Sequence, residues 1–346
     1  ATLKIRWENE QRFSHVNVVE EWHYKNEKTI ERVRRLLSIK HPFFNHNSIN
    51  NLHWSNDLKK LVLATGDGGF RDGPFNLSQD DRYFHGKVIA IDIDAPAWKD
   101  YTALPIARFE ELPSSIHTLL RVLIKGVRNW SGLTETRNGT KFVGQPGQDA
   151  VEAIFAFKTW PYQKEQPLNF GWRGWEGSWP ALQNVDCKTG EFTMKATSFV
   201  RPTYYHDAVA LSVARRQPYC EYYHLDTRPG KARAVCITGQ EVYQGSELKG
   251  LNNHLIISDW AQTVGMAFPV GQPTGAGFLL HVPIDNRLTE LHDYQLLELA
   301  HTFTKPAYFV SLGANKNNSQ IFLGVYQTAG TTTPHLGTVY RLVAVK

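Results

Sequence analysis

The chain has 346 residues, of which 42% are hydrophobic, 12% aromatic and 21% charged. That is ordinary globular composition with enough mass for a large core, and it excludes disorder, collagen and coiled coil. The formal charge of +5 comes from 38 Lys and Arg scattered among 33 acids, whereas a nucleic-acid binder concentrates positive charge on one face.

No apolar run reaches the length of about 20 residues that a membrane helix needs. The chain opens at Ala1 with no initiator Met and no signal-peptide pattern, which reads as a processed, trimmed or partly traced start.

Taken in chain order, the first periodic segment is Glu27–Leu37, where apolar residues recur at three and four and predict a helix. Alternating segments follow at Leu61–Thr65, Lys87–Asp94, Ala153–Phe157, Val235–Tyr243, His254–Ser258, Gln320–Val325 and Thr338–Val345. Their period of two predicts strands. In Lys87–Asp94 the alternation predicts one face of Ile89, Ile91 and Ile93 and a wetter face carrying Asp92 and Asp94. A second helical segment is predicted over Leu288–His301.

Clusters of Gly, Asn and Asp at Gly66–Gly69, Asn169–Gly177, Gly245–Asn253 and Gly313–Asn318 supply turns between the strands. No Pro-rich or Ser-rich linker splits the chain, so residues 1–346 read as one domain. Many short strands with repeated Gly and aromatic motifs predict an all-β propeller with short helical insertions; a β-sandwich is the alternative.

Cys187, Cys220 and Cys236 form an odd set without a CxxC, which gives no support for a zinc knuckle. At most one disulfide can form, with Cys220–Cys236 the expected pair. Sequons at Asn76, Asn129, Asn138 and Asn317 fit a secreted or lumenal glycoprotein. His292 and His301 lack the spacing of an HExxH zinc site and are expected to be solvated helix residues. Gly66–Gly69 lacks the Lys-Ser/Thr of a phosphate-cradling loop.

Several motifs occur in a telling order. Asn45-His46-Asn47 precedes Leu52-His53-Trp54 and then the Gly66-Asp67-Gly68-Gly69 turn, followed by Asn76–Gln79 and Gly86-Lys87-Val88. Gly126-Val127-Arg128-Asn129, the loop Phe142–Ile154, Asn169-Phe170-Gly171-Trp172 and the Glu176-Gly177 pair come next. Ile237-Thr238-Gly239, Val242–Gly245 and Gly337–Arg341 close the series. Together these resemble the soluble glucose dehydrogenase and sorbosone dehydrogenase family, six-bladed β-propellers of the quinoprotein type that use pyrroloquinoline quinone (PQQ) and calcium.

The resemblance implies oxidation of an aldose or polyol, with His46 as general base; imidazole suits that task because its ordinary pKa lies near neutrality. It implies a calcium held by the carbonyls of Gly147 and Gln148 and by Glu152, oxygen ligands suited to a hard cation. Asp67, Asp72, Arg128 and Asn129 would contact the cofactor. Each residue also has a plainer reading: His46 and Asp67 as turn residues, and the Gly147–Glu152 segment as a strand connection. A glycan on Asn129 would conflict with a cofactor pocket there.

Two departures from the family pattern stand out. Family members carry more than a full blade before the histidine motif, whereas only 45 residues precede His46 here. Either an upstream segment or a second chain completes the first blade, or the ring closes with fewer blades.

A cofactor with three carboxylates also needs cationic anchors. Ala261 occupies the expected lysine position, and Thr304–Tyr308 the expected arginine pair, with Lys305 the nearby cation. Arg128 or Arg201 would have to serve instead. The alternative function is therefore a catalytically inactive propeller that binds carbohydrate or protein within an extracellular assembly. Trp172, Trp175 and Trp179 are candidates either for blade packing or for stacking on sugar rings.

Overall fold

The computed structural model describes residues 15–42, 46, 52–69, 73, 75–161, 166–181, 183–185, 203–205, 211–224, 226–264, 272–273, 276–327 and 337–345. The chain divides into two compact units. One comprises residues 1–130, 160–175 and 180–215, and the other residues 131–159, 176–179 and 216–346.

The first unit opens with a hairpin of His15–Asn26 against Thr29–His41. This corrects the helix expected over Glu27–Leu37. The pairing register runs Val19 to Leu37, Glu20 to Arg35, Glu21 to Arg34 and Trp22 to Arg32, so Leu36 and Val33 are extra residues in the second strand. Two bulges thus produce the spacing of three that imitates a helix. Cross-strand pairs of Arg35 with Glu20 at 2.8 Å and Arg34 with Glu21 at 2.7 Å match this register.

Beside the hairpin, Leu52–Ser55, Lys60–Ala64, Val88–Ile91 and Leu120–Lys125 form an antiparallel meander, with Leu168–Asn169 added in parallel. Val88 to Ile91 are fully buried on both faces, so the expected wet face begins only at Asp92, whose carboxylate meets Lys60 Nζ at 2.5 Å. Leu36, Leu37, Leu63, Phe84, Ile89, Ile91, Trp98 and Phe109 pack into one core. Each such apolar side chain contributes about 2 kcal/mol on burial.

The second unit contains two four-stranded antiparallel meanders. Gly132–Glu135, Lys141–Gln145, Val151–Phe157 and Cys220–Tyr223 make one; Ile237–Tyr243, His254–Asp259, Phe278–Pro283 and Gln295–Leu297 make the other. Phe142, Ile154, Tyr219, Tyr222, Leu255, Ile257 and Leu280 share a core cluster. A three-stranded sheet of Ala307–Ala314, Ile321–Gln327 and Gly337–Arg341 follows. All seven predicted strand segments are present, with ends shifted by a few residues.

The helix expected over Leu288–His301 is absent. Gln295–Leu297 pairs instead with Leu279–His281, and the His292 ring lies 4.1 Å from that of Tyr219. His292 is therefore packed rather than solvated, its side chain 10% exposed. Tertiary contacts outweigh the local helical pattern here.

The expected Cys220–Cys236 disulfide is also absent: both residues are thiols. Cys220 is buried in its strand opposite Ile154, and Cys236 Sγ is directed to the Ile237 carbonyl at 3.6 Å. Cys187 lies outside the described residues. Among the described residues no helix is long and apolar enough to cross a membrane.

Candidate functional site

Two groups of side chains stand out, one in each unit. In the first unit, His46 is 8% exposed and adopts a left-handed backbone with φ 54°. A Cβ on Gly66 would lie 1.6 Å from the His46 carbonyl oxygen, so only glycine lets the turn approach so closely. The neighbouring Asp67 then meets His46: Nδ1 and Oδ1 are 2.8 Å apart.

Asp67 is held from three further sides. Gly69 N donates to Oδ1 at 2.9 Å, Trp172 Nε1 donates to Oδ2 at 2.7 Å, and Asp67 N donates to the Arg128 carbonyl at 2.9 Å. The Arg128 guanidinium sits 5.5 Å from the Trp172 ring centroid. Burial by itself would raise the Asp67 carboxyl, but His46, Arg128 and the Gly69 amide outweigh it and hold the group below its ordinary range.

For His46 the balance is reversed. Burial, then the nearby Arg128 charge, push its pKa down against the pull of Asp67. Asp67 is thus an ionised acceptor and His46 a neutral imidazole. The proton sits on Nδ1, so Nε2 carries the ring's lone pair. An imidazole held in this way has the chemistry to accept a proton at Nε2.

Of the other expected residues in this unit, Asn129 is half-buried, while Asp72 and Arg201 lie outside the described residues. Trp172 is buried and bonded to Asp67. Trp175 is covered by Arg215, whose guanidinium lies 3.8 Å from the ring centroid. Trp172 is thus enclosed, and one face of the half-buried Trp175 is taken by Arg215.

In the second unit the segment Gly147–Val151 wraps a single carboxylate oxygen. Glu176 Oε1 accepts from the amides of Gln148 at 2.6 Å, Asp149 at 2.8 Å, Ala150 at 2.7 Å and Val151 at 3.2 Å. Because a trans peptide points its N–H and C=O in opposite directions, the carbonyls of Gly147, Gln148 and Asp149 face away from Glu176. The Ala150 carbonyl confirms the geometry by accepting from His224 N at 3.0 Å.

Glu152 is fully buried. Its Oε1 pairs with His224 Nε2 at 2.7 Å and accepts from Gly147 N at 3.3 Å, and its Oε2 accepts from Ile237 N at 2.8 Å. Burial opposes a charge on His224, but the Glu152 hydrogen bond and charge prevail and raise its pKa. Glu152 therefore ties the loop to its surroundings through both oxygens. Among the described residues no group of three or more His, Cys, Asp and Glu side chains is arranged to hold a metal; a cation here would be held mainly by carbonyl oxygens, a donor set that fits a hard ion such as calcium.

At the expected anchor positions the chemistry differs. Ala261 is buried, and its amide, with those of Val235 and Cys236, donates to Asp259 Oδ1. Burial and the neighbouring Glu152 push the Asp259 carboxyl up to about 7. Tyr308 stacks on Trp260 with centroids 4.7 Å apart, and Lys305 is exposed. Arg128 is thus the cation next to the His46–Asp67 pair that fits an anionic cofactor.

Sequence reasoning missed three residues. Trp172 sat in a recognised motif but was weighed for packing or stacking rather than as a donor to Asp67. Glu176 lay in the Glu-Gly pair without a role, and His224 carried no local signal.

No family model matches the chain. It is 27% identical over 240 residues to the HIPL1 protein of Arabidopsis thaliana, which covers 63% of this chain and 31% of that protein. The chain thus spans about a third of the curated relative's length.

Among solved structures it resembles the PQQ-bound aldose sugar dehydrogenase of Streptomyces coelicolor, with a TM-score of 0.51, 17% identity, and 95% of this chain and 72% of that chain covered. It also resembles the holo PQQ domain of pyranose dehydrogenase from Coprinopsis cinerea, with a TM-score of 0.50, 13% identity, and 89% and 74% covered. The fold is therefore a β-propeller of the quinoprotein sugar-dehydrogenase type.

Proposed function

We propose that this chain is a secreted or lumenal oxidoreductase that oxidises an aldose or polyol with the help of PQQ and calcium. The observation that carries the reading is the buried His46–Asp67 pair, 2.8 Å apart, with Trp172 and Arg128 around it. When bound, the quinone supplies the two-electron acceptor to which a sugar C–H gives hydride.

His46 Nε2 takes the hydroxyl proton of the sugar. Asp67, acting through His46, holds the reactive tautomer and stabilises the imidazolium that forms. Arg128 supplies positive charge for a cofactor carboxylate, with Asn129 beside it in sequence. The outward carbonyls of Gly147 and Gln148 are the oxygen donors for calcium, with Glu152 securing the loop behind them.

The test is steady-state oxidation of an aldose and polyol panel by protein reconstituted with PQQ and calcium, coupled to an artificial electron acceptor. Turnover that disappears in His46→Ala supports the reading; absence of turnover with every sugar opposes it.

A second reading, a propeller that binds carbohydrate or protein without catalysis, draws on Ala261 and the Trp260–Tyr308 stack standing where cations are expected. Its mark would be sugar or protein binding that is indifferent to PQQ.

A further inference from the structure

Residues Cys220–Tyr223 form a strand in the second unit, and side chains along a strand alternate between its two faces. Cys220 and Tyr222 enter the core of that unit. Glu221 and Tyr223 therefore share the opposite face, where the turn at Gly177 brings Ser178 and Trp179 onto them. Gly177 is left-handed, with φ 59°, a conformation that favours glycine.

Glu221 is 5% exposed, and both its oxygens are committed. Oε2 accepts from Ser178 N at 2.9 Å, and Oε1 accepts from Trp179 Nε1 at 3.2 Å and from the Tyr223 hydroxyl at 3.1 Å. One carboxylate thus pins the polar ends of two aromatic rings. The rings meet at 76° with centroids 6.1 Å apart, a corner in which neither stacks on the other. Trp179 nevertheless remains 50% exposed. A scattered surface Trp needs no explanation. An indole oriented by a nearly buried carboxylate is a different case, because its open surface is held in one direction.

Arg228 completes the surface. Its guanidinium lies 5.2 Å from the Tyr223 ring centroid and is held by Asp226: Nε donates to Oδ1 at 3.0 Å and Nη2 to Oδ2 at 2.7 Å. The side chain is 54% exposed, and Nη1 has no hydrogen-bond partner among the described residues. Two fixed N–H donors are therefore open beside the aromatic corner.

We propose that Trp179, Tyr223 and Arg228 form a binding platform for pyranose oligosaccharides. A pyranose ring of the gluco or xylo configuration carries equatorial hydroxyls and faces of axial C–H bonds, so it presents an apolar plane to an indole and a polar rim around it. Trp179 takes the plane, and Arg228 Nη1 donates to a rim hydroxyl. The platform needs neither quinone nor calcium, so it stands or falls apart from the oxidation proposed above.

The experiment is isothermal titration of the full chain, free of PQQ, with cellohexaose, maltohexaose and xylohexaose. Wild type should bind at least one of them with sub-millimolar affinity. Trp179→Ala should weaken that binding about 10-fold or more, as loss of a Trp anchor does. Trp179→Tyr, which keeps an aromatic face, should retain more of it than Trp179→Ala.

Absence of binding to all three sugars by wild type, or equal affinity in wild type and Trp179→Ala, overturns the inference and leaves the oxidation reading standing. Should Trp179→Ala fail to fold, Trp179→Leu keeps apolar bulk without the aromatic plane. Weakened binding in that variant supports the platform, and wild-type affinity overturns it.

Discussion

His46 and Asp67 share a 2.8 Å hydrogen bond within the protein, and the second oxygen of Asp67 is occupied by the indole N–H of Trp172 at 2.7 Å. The carboxylate therefore cannot turn away from the imidazole without abandoning Trp172. The ring is fixed in position and tautomer before any substrate arrives. Under the proposed function, the readiness of His46 as a base depends on Asp67 as much as on His46 itself.

Asp67→Asn tests that dependence. The amide can offer its NH2 to Nδ1, which moves the ring proton to Nε2 and abolishes the base. Turnover should fall about 10²–10⁴-fold, as for loss of a general base, with little change in sugar KM. Because burial and Arg128 hold the His46 pKa below the ordinary 6.5, the acidic limb of the wild-type kcat/KM profile should lie below pH 6.5. An acidic limb above that value would contradict the assignment.

His85 predicts the pH dependence of stability. It is fully buried, with Nε2 at 2.9 Å from the Lys40 carbonyl; burial, and then neighbouring His41, push its pKa down to about 3. The unfolded chain takes up this proton below about pH 6.5 while the folded chain refuses it, so stability falls as pH drops from 6.5 towards 3. This group alone should remove about 2 kcal/mol between pH 7.5 and 5. Urea unfolding at the two pH values should show a smaller loss in His85→Gln, and an unchanged loss would refute the attribution.

Lys87 is buried, and its ammonium donates to three carbonyls: Leu77 at 2.8 Å, Ser78 at 3.1 Å and His85 at 2.8 Å. Lys87→Met keeps the stem and strands all three acceptors. Chemical denaturation should show a loss of about 3 kcal/mol. A loss under about 1 kcal/mol would mean that water or rearranged backbone satisfies the turn.

The sequons differ sharply in setting. Asn317 is exposed in a turn between strands and Ser319 of its sequon is half-buried, whereas Ser78 of the Asn76 sequon is 2% exposed and donates its hydroxyl to the Val127 carbonyl, and Thr140 of the Asn138 sequon is 4% exposed and donates to Asn138 Oδ1. Expression in a eukaryotic secretory host should give glycan on Asn317 and none on Asn76, Asn138 or half-buried Asn129, as read by peptide mass after glycosidase treatment. Glycan on Asn129 would place a bulky group beside Arg128 and count against a cofactor there.

The strands were legible because their apolar residues alternate without interruption. Val33 and Leu36 show where that logic fails: two bulges displace the alternation by one residue each, and the pattern left behind has the spacing of a helix. Leu288–His301 failed for a different reason. Its helical pattern yields to pairing of Gln295–Leu297 with a neighbouring strand and to the packing of His292 on Tyr219.

In the candidate site, His46, Asp67 and Arg128 could be named from motifs, and the structure brings them together. The partners that complete the geometry lie far along the chain: Trp172 is 105 residues from Asp67, and His224 is 72 from Glu152. Such pairings are fixed by tertiary structure and leave no local spacing to read.

The central claim is that His46 is the base of a quinone-dependent sugar oxidation. Its most direct test is an anaerobic single-turnover titration: protein loaded with PQQ and calcium is mixed with an excess of each aldose while the cofactor absorbance is followed. Stoichiometric cofactor binding in wild type and in His46→Ala, with sugar-dependent reduction in wild type alone, is the predicted result. Failure of wild type to bind the cofactor, or reduction that proceeds equally in His46→Ala, would contradict it.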